Sequence, residues 1–239
     1  GCYFPTMISG PIMKYSDMEK QMYTGHKLDY RNVTFGMQRM LLGFFKKLVI
    51  SERTAILANE IFNNYEKYSG VSIWVGAAAF TMQLYTDFDG CMDIVLGISE
   101  CFGIRLPENF RYPYCADSIT DFWRRWHMSL TSWFRDYLYI PLGGNRGGTA
   151  RTIRNLLIVW FCTGFWHGAS WNFILWGLYF AAWLILERYV LRGVLEKTPA
   201  ILKHLYTLIV VFVGWGLFAM VDLGVCGDYL AACFGGAPL

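Results

Sequence analysis

His167 is the residue with the clearest setting for proton transfer. It lies in Gly164-Phe165-Trp166-His167-Gly168, inside a stretch from 155 to 186 that contains no Asp, Glu, Lys or Arg. Ionisable groups in apolar surroundings are costly, so their presence points to function. Burial without a counter-charge disfavours the imidazolium cation, and we expect a neutral ring that can take a proton from an alcohol. The alternative is a structural histidine that donates a hydrogen bond to another helix.

His127 is the second candidate. It follows Arg124, Arg125 and Trp126 in a segment rich in aromatic residues. Two neighbouring cations also favour a neutral imidazole. A hydrogen-bonded histidine at a membrane interface is the alternative. His26, in a polar loop, and His204, at the start of an apolar stretch, lack such a setting, and we expect both at an interface.

Motifs for metal or nucleophile chemistry are missing or incomplete, and we predict no metal site. The chain has no H-E-x-x-H pair and no G-x-S-x-G elbow. The acidic motif at 87–90 begins like a calcium loop, but Ile98 stands where the final Glu belongs. We interpret 87–90 as a helix-breaking turn between membrane segments. The glycine-rich run 141–148 lacks the Gly-Lys-Ser/Thr ending of a phosphate loop, which favours a tight cytoplasmic turn.

The composition indicates a membrane protein. The chain has 55% hydrophobic and 18% aromatic residues against 16% charged ones. A net charge of +3, with scattered Lys and Arg, does not provide the dense basic surface that nucleic acids require. The seven cysteines, Cys2 among them, form an odd set without a C-x-x-C pair, and we expect them to act mainly as small hydrophobic residues.

Three uncharged stretches predict membrane spans. Residues 68–86 provide 19 residues, enough to cross a bilayer, and 204–221 provide another candidate. Residues 155–186 would reach about 48 Å as one straight helix, which is too long for a single crossing. We expect this stretch to break at its glycines, near His167.

The distribution of positive charge predicts sidedness. The segment 187–203 contains Arg188, Arg192, Lys197 and Lys203, and no Lys or Arg follows it. The positive-inside tendency therefore places 187–203 in a cytoplasmic loop and the C-terminus outside. Three arginines before residue 155 favour a re-entrant or broken hairpin for 155–186. We expect the Trp- and Arg-rich segment 105–148 at the interface, and 34–50 either on the membrane surface or packed against other helices.

Several motifs resemble the membrane-bound O-acyltransferase (MBOAT) family, in the bacterial branch with alginate O-acetyltransferases and the D-alanine exporter of teichoic-acid modification. They run almost from end to end: Phe4-Pro5, Gly10-Pro11-Ile12, Gly43-Phe44-Phe45-Lys46-Lys47, Tyr85-Thr86-Asp87-Phe88-Asp89-Gly90, Pro107-Glu108-Asn109-Phe110, residues 121–127, Trp133-Phe134-Arg135-Asp136-Tyr137 and residues 163–172. The run 139–146 resembles the alginate-acetylating branch, which favours polysaccharide O-acetylation over D-alanylation.

The resemblance implies an all-α, multi-pass bundle in the bacterial plasma membrane, with re-entrant or interfacial helices. We expect residues 1–239 to form one membrane domain that lacks its upstream helices. The family's essential histidine matches His167, and its second active-site histidine matches His127. The implied donor is acetyl-CoA or an acyl-carrier thioester, and no cofactor is tightly bound. The acceptor is an exported polysaccharide, and the expected partner is a periplasmic or extracellular acetyltransferase.

Our mechanistic hypothesis makes His167 the general base for an attacking hydroxyl. We expect His127, with Arg124 or Arg125, to hold the donor or stabilise the oxyanion, since cations and N–H donors act strongly on developing charge. Trp126, Trp166 and Asn172 should shape the tunnel. Two other classes stay open: a transport path without chemistry, and a scaffold subunit of an export complex.

Overall fold

The computed structural model describes residues 3–7, 9–68, 70–220 and 222–234; Cys2 lies outside them. This part of the chain is helical and contains no strand. The six cysteines within it are free thiols. The α-helices are α1 Tyr15–Tyr23, α2 Tyr30–Phe44, α3 Glu52–Asn63, α4 Val71–Cys101, α5 Ile119–Arg125, α6 Met128–Phe134, α7 Thr149–His167, α8 Trp171–Leu186, α9 Arg192–Lys197, α10 Ala200–Ala219 and α11 Leu223–Cys233.

Helix α2 packs along α4 through glycines. A Cβ atom on Gly36 would lie 2.5 Å from the carbonyl oxygen of Gly97, and one on Gly43 would lie 2.6 Å from that of Gly90. Small residues let two backbones approach closely, as is common between membrane helices. Of the two possibilities for 34–50, the packed helix is therefore the one observed. This segment continues from α2 through π-helical turns at Phe45–Ser51 into α3.

The predicted turn at 87–90 is wrong, because these residues lie in the middle of the 31-residue helix α4. Lys46 explains why acidic residues are tolerated there: its Nζ donates to Asp89 and Asp93, at 2.6 Å each. A buried carboxylate needs such a partner. The expected end of a span at residue 86 is wrong for the same reason, since α4 continues to Cys101.

The stretch 155–186 breaks as predicted. Helix α7 ends at His167 and α8 begins at Trp171, and the two pack against each other as a hairpin. A Cβ atom on Gly164 would overlap the carbonyl oxygen of Phe173, and one on Gly177 would overlap that of Trp160. The two backbones are therefore in contact, and the helix end presents the imidazole of His167.

The expected loop at 187–203 is mostly helical, so this prediction is wrong. The chain continues from α8 through π-helical turns at Glu187–Leu191 into α9. Glu187 is buried because its carboxylate accepts the backbone N–H groups of Ile119, at 2.6 Å, and Thr120, at 2.9 Å, at the start of α5. A helix N-terminus provides free N–H donors for such an anion.

Within the described residues, two helices are long and apolar enough to cross a membrane: Trp171–Lys197, which includes the π-helical turns, and Ala200–Ala219. The second corresponds to the span expected at 204–221, although Val221 lies outside the described residues. Of the span expected at 68–86, residues 71–86 form the first half of α4, which is not one of these two.

An aromatic core joins the short helix α5 and Trp126 after it to α7, α8 and α10. Trp123 and Trp126, expected at a membrane interface, are instead buried beside Trp176 and Trp215. The ring centroids of Trp126 and Trp215 are 4.8 Å apart, and those of Trp123 and Trp160 are 4.7 Å apart. This core fixes the segment with His127 against the hairpin with His167.

Candidate active site

His127 and His167 line one small cavity of about 140 Å³. Trp123 and Trp126 form part of one wall, and Leu156, Val159, Trp160 and Thr163 of α7 form the opposite one. The surroundings are mainly apolar, so polar interactions inside the cavity are weakly screened. The structure therefore brings the two candidate histidines together with Trp126.

His127 has a fixed ring and a fixed tautomer. Its Nδ1 lies 3.2 Å from Oδ1 of Asn109, and that oxygen also accepts the backbone N–H of Ser129 at 3.0 Å. An amide N–H can only donate, which identifies the Asn109 atom as the oxygen and requires Nδ1 of His127 to carry the hydrogen. In a neutral ring the lone pair is then on Nε2, which can accept a proton or a hydrogen bond.

The backbone of His127 is also unusual. It has φ +45°, in the left-handed region, and stands at the residue before α6. Non-glycine residues adopt this region at a cost, and such strain is concentrated at functional sites. Among the described residues only Tyr112 shares this property.

His167 is held by ring contacts instead. Its ring centroid lies 5.0 Å from that of Trp166, 5.0 Å from that of Trp176 and 5.3 Å from that of Phe218. No hydrogen bond from the described residues orients the imidazole. Its ring nitrogens are therefore available to a bound molecule, in contrast to Nδ1 of His127.

The other predicted site residues are distributed differently. Trp166 is 55% exposed, and its ring lies between the two histidines, 6.3 Å from that of His127. Asn172 is fully buried outside the cavity lining, where its Nδ2 donates to the carbonyl oxygen of Phe218 at 3.1 Å. It fixes the start of α8 to the end of α10. Arg125 is bound to Asp121, with Nε and Oδ2 2.7 Å apart.

Arg124 lines a second cavity of about 660 Å³ at the junction of α8 and α10, together with Arg188, Arg192 and Lys203 and the carboxylates of Asp117, Glu187 and Glu196. Four cations against three carboxylates leave a net positive charge, and we call it the basic cavity. Arg192 is paired with Glu196 at 3.1 Å and Lys203 with Asp117 at 2.8 Å. The ammonium of Lys203 holds the pKa of Asp117 below its ordinary value. Arg124 and Arg188 have no acidic partner among the described residues. Both cavities have Leu156 in their walls.

Asn109 is a site residue that the sequence alone does not identify. It stands in the motif Pro107-Glu108-Asn109-Phe110, but nothing in a linear sequence links residue 109 to residue 127. His26 and His204 lie outside the cavity and bond to backbone oxygens of Gln21 and Ala116. Within the described part of the chain, no group of three or more His, Cys, Asp or Glu residues could hold a metal ion.

The chain belongs to the membrane-bound O-acyltransferase family, whose model matches residues 1–226. It is 42% identical to the probable alginate O-acetylase AlgI of Azotobacter vinelandii, over 97% of this chain and 46% of that protein. It is also 40% identical to the peptidoglycan O-acetyltransferase of Helicobacter pylori, over 92% of this chain and 43% of that protein.

More distant similarity links it to the teichoic acid D-alanyltransferase of Bacillus subtilis, at 31% identity over 75% of this chain and 48% of that protein. The chain spans a little under half the length of the curated relatives it matches. Membership of the family confirms the resemblance inferred from the motifs, including its stronger likeness to the alginate O-acetylases.

Proposed function

We propose that the protein transfers an acetyl group from a cytoplasmic thioester to hydroxyl groups of an exported polysaccharide, as a multi-pass enzyme of the bacterial plasma membrane. The observation that carries this proposal is the meeting of two histidines in one apolar cavity that adjoins a basic cavity at Leu156. The O-acetyltransferases among its relatives support the reaction type. They also support O-acetylation over D-alanylation.

In the proposed step, the acceptor oxygen attacks the thioester carbonyl carbon. A C–O bond forms, the C–S bond breaks, His167 takes the hydroxyl proton, and the thiolate leaves and receives a proton. General-base assistance of this kind is worth roughly 10²–10⁴-fold in rate. His127 accepts a hydrogen bond at Nε2 from a second hydroxyl of the acceptor sugar and so orients it, because a neutral ring whose hydrogen is on Nδ1 cannot donate to an oxyanion there.

The basic cavity fits the phosphate-bearing end of the donor. Coenzyme A and carrier-bound phosphopantetheine share a phosphate and a long flexible thiol arm. Guanidinium groups bind phosphate oxygens through paired N–H donors, and Arg124 and Arg188 are free of acidic partners among the described residues. The arm would then pass Leu156 to bring the thioester to the histidines. The two arginines thus contribute to donor binding, at a distance from the oxyanion.

The remaining elements of the proposal follow the family resemblance. The acceptor is a polysaccharide outside the cytoplasm, and the partner is a periplasmic or extracellular acetyltransferase that acts on the same polymer. The donor is consumed as a substrate, and no tightly bound cofactor takes part. The lipid bilayer contacts the exposed apolar faces of Trp171–Lys197 and Ala200–Ala219.

The direct test is acetyl transfer by the purified protein in lipid nanodiscs, with acetyl-CoA and a mixture of polysaccharide fragments. His167→Ala should lower the rate of ester formation by at least about 10²-fold. His26→Ala is the control, because His26 lies in a separate loop and should retain full activity.

Unchanged ester formation in His167→Ala would refute the catalytic assignment. A pure transporter would move glycan without increasing the number of esters. A scaffold subunit would lose its partners in His167→Ala, which co-purification would show as a missing complex.

A further inference from the structure

A third cavity, of about 440 Å³, lies at the end of α10 opposite the basic cavity. Phe218, in the last turn of α10, lines it, and the same ring packs against His167 with centroids 5.3 Å apart. Lys203, at the other end of α10, lines the basic cavity. The basic cavity and the third cavity therefore lie at opposite ends of α10, and His167 packs against a ring that lines the third cavity.

The charge pattern assigns the third cavity to the exported side. The segment that leads into α10 contains Arg188, Arg192, Lys197 and Lys203, whereas α10 from residue 204 onward and the segment 222–234 after it contain no Lys or Arg. Cationic residues are retained on the cytoplasmic side of a span. The end of α10 at Ala219 therefore faces outward, where an exported acceptor would arrive.

The lining has the composition of a site for a sugar. Asn59 and Asn63 lie one turn apart on the same face of α3, and both side chains are exposed. Neither forms a hydrogen bond with another described residue through its side chain. Carboxamides both donate and accept, which matches hydroxyl groups. The rings of Phe62, Phe80 and Phe218 provide apolar walls for the C–H faces of a pyranose.

Asp222 gives this cavity a negative charge. Its Oδ1 accepts the backbone N–H groups of Gly224, at 2.8 Å, and Val225, at 3.3 Å, and so caps α11. The described residues that line the cavity include no Lys or Arg. A carboxylate held at this point repels a second carboxylate or a phosphate.

We infer that this cavity is the acceptor subsite, and that it takes an uncharged hydroxyl-bearing sugar in preference to a uronate. The inference rests on the proposed acyl transfer, because it assigns the cavity next to His167, across the ring of Phe218, to one of the two substrates. The charges of the two cavities also keep the substrates apart: the phosphate-bearing donor is attracted to the basic cavity at one end of α10 and repelled by Asp222 at the other. Selection against uronates distinguishes this chain from what the name of its alginate-acetylating relatives would suggest.

The test compares two acceptors with the protein in lipid nanodiscs. One is a neutral tetramer of N-acetylglucosamine and the other a tetramer of mannuronate. Binding is measured by saturation-transfer NMR and isothermal titration, and acetyl ester formation by mass spectrometry with acetyl-CoA. The neutral tetramer should bind about tenfold more tightly than the uronate, as expected for one contact between like charges in a partly screened cavity.

Asp222→Asn should bring uronate binding to within about threefold of the neutral tetramer and leave binding of the latter unchanged. Asparagine also caps helices, so α11 should be retained. Asp228→Asn is the matched control, since it removes the same charge from the same helix but outside the cavity lining. Asn59→Ala with Asn63→Ala should weaken the neutral tetramer about tenfold.

Equal binding of both tetramers to the wild-type protein, or the same shift in Asp222→Asn and Asp228→Asn, would overturn the inference. The binding measurement stands apart from turnover. Selective binding without any acetyl transfer would refute the proposed function and keep the subsite. Transfer without selectivity, unaffected by Asp222→Asn, would refute the subsite and keep the function.

Discussion

The helix pairs α2–α4 and α7–α8 both pack closely through glycines, but the first interface contains ion pairs and the second contains aromatic rings. In both, glycines bring two helix backbones into contact. Across α2–α4 the contact is reinforced by charge, since Arg39 and Lys46 reach Asp89 and Asp93 on α4. The α7–α8 contact has no ion pair among the described residues and is surrounded by aromatic rings.

This difference separates structural from chemical uses of a polar group in an apolar setting. The carboxylates of α4 are satisfied by cations on the neighbouring helix and so have a structural explanation. His167 ends a helix whose partner offers only rings, and its nitrogens are free for a bound molecule. An unpaired polar group at a packed interface is the better guide to an active site.

The largest effect should come from Lys46→Met, which breaks the charged interface. The change leaves Asp89 without its cation, and removing one partner of a buried ion pair typically costs about 3–5 kcal/mol. Thermal unfolding in detergent should show a clear loss of stability. Lys46→Met combined with Asp89→Asn should recover part of it, and no loss in the single variant would show that the pair is not structurally required.

A smaller loss of stability is expected when a substitution pushes the α7 and α8 backbones apart. In Gly177→Ala the new methyl group overlaps the carbonyl oxygen of Trp160, and such overpacking costs about 1–3 kcal/mol. Ester formation should also fall, because the hairpin holds His167. Gly193→Ala is the control: a Cβ atom there meets nothing within 4 Å, and stability should be unchanged or slightly higher.

The smallest effect should come from Lys47→Met, next to Lys46. Lys47 is paired with Asp87, but their side chains are 36% and 50% exposed. Exposed ion pairs contribute about 0–1 kcal/mol and weaken with added salt. The measurement compares the unfolding temperatures of Lys46→Met and Lys47→Met at low and high salt. An equal loss of stability in both variants would mean that burial does not distinguish the Lys46–Asp89 pair from the Lys47–Asp87 pair.

Structural features that depend on the residues of one segment were predictable from the sequence. Features that depend on a contact with a distant segment were not. The break at 155–186 was predictable because glycines and the excess length lie in the same run. The acidic motif of α4 was misread because its cation, Lys46, is 43 positions away from Asp89. The helix after residue 186 was missed because Glu187 is neutralised by the N-terminus of α5.

The same limit applies to the candidate site. Both histidines were recognisable from their local surroundings, and the structure places them in one cavity. Arg124 was grouped with His127 because it is near in sequence, yet the helical turn of α5 directs it into the basic cavity. Asn109, which sets the tautomer of His127, had no local signal beyond its motif.

Backbone contact between α7 and α8 has a consequence for motion during turnover. At Gly164 and Gly177 no side chain separates the two helices, so the hairpin cannot slide or tilt there without steric overlap and acts as a rigid frame. The aromatic core also holds α5 and the residue before His127 against this frame. We therefore expect His127 and His167 to keep a constant separation while substrates enter and leave the cavity.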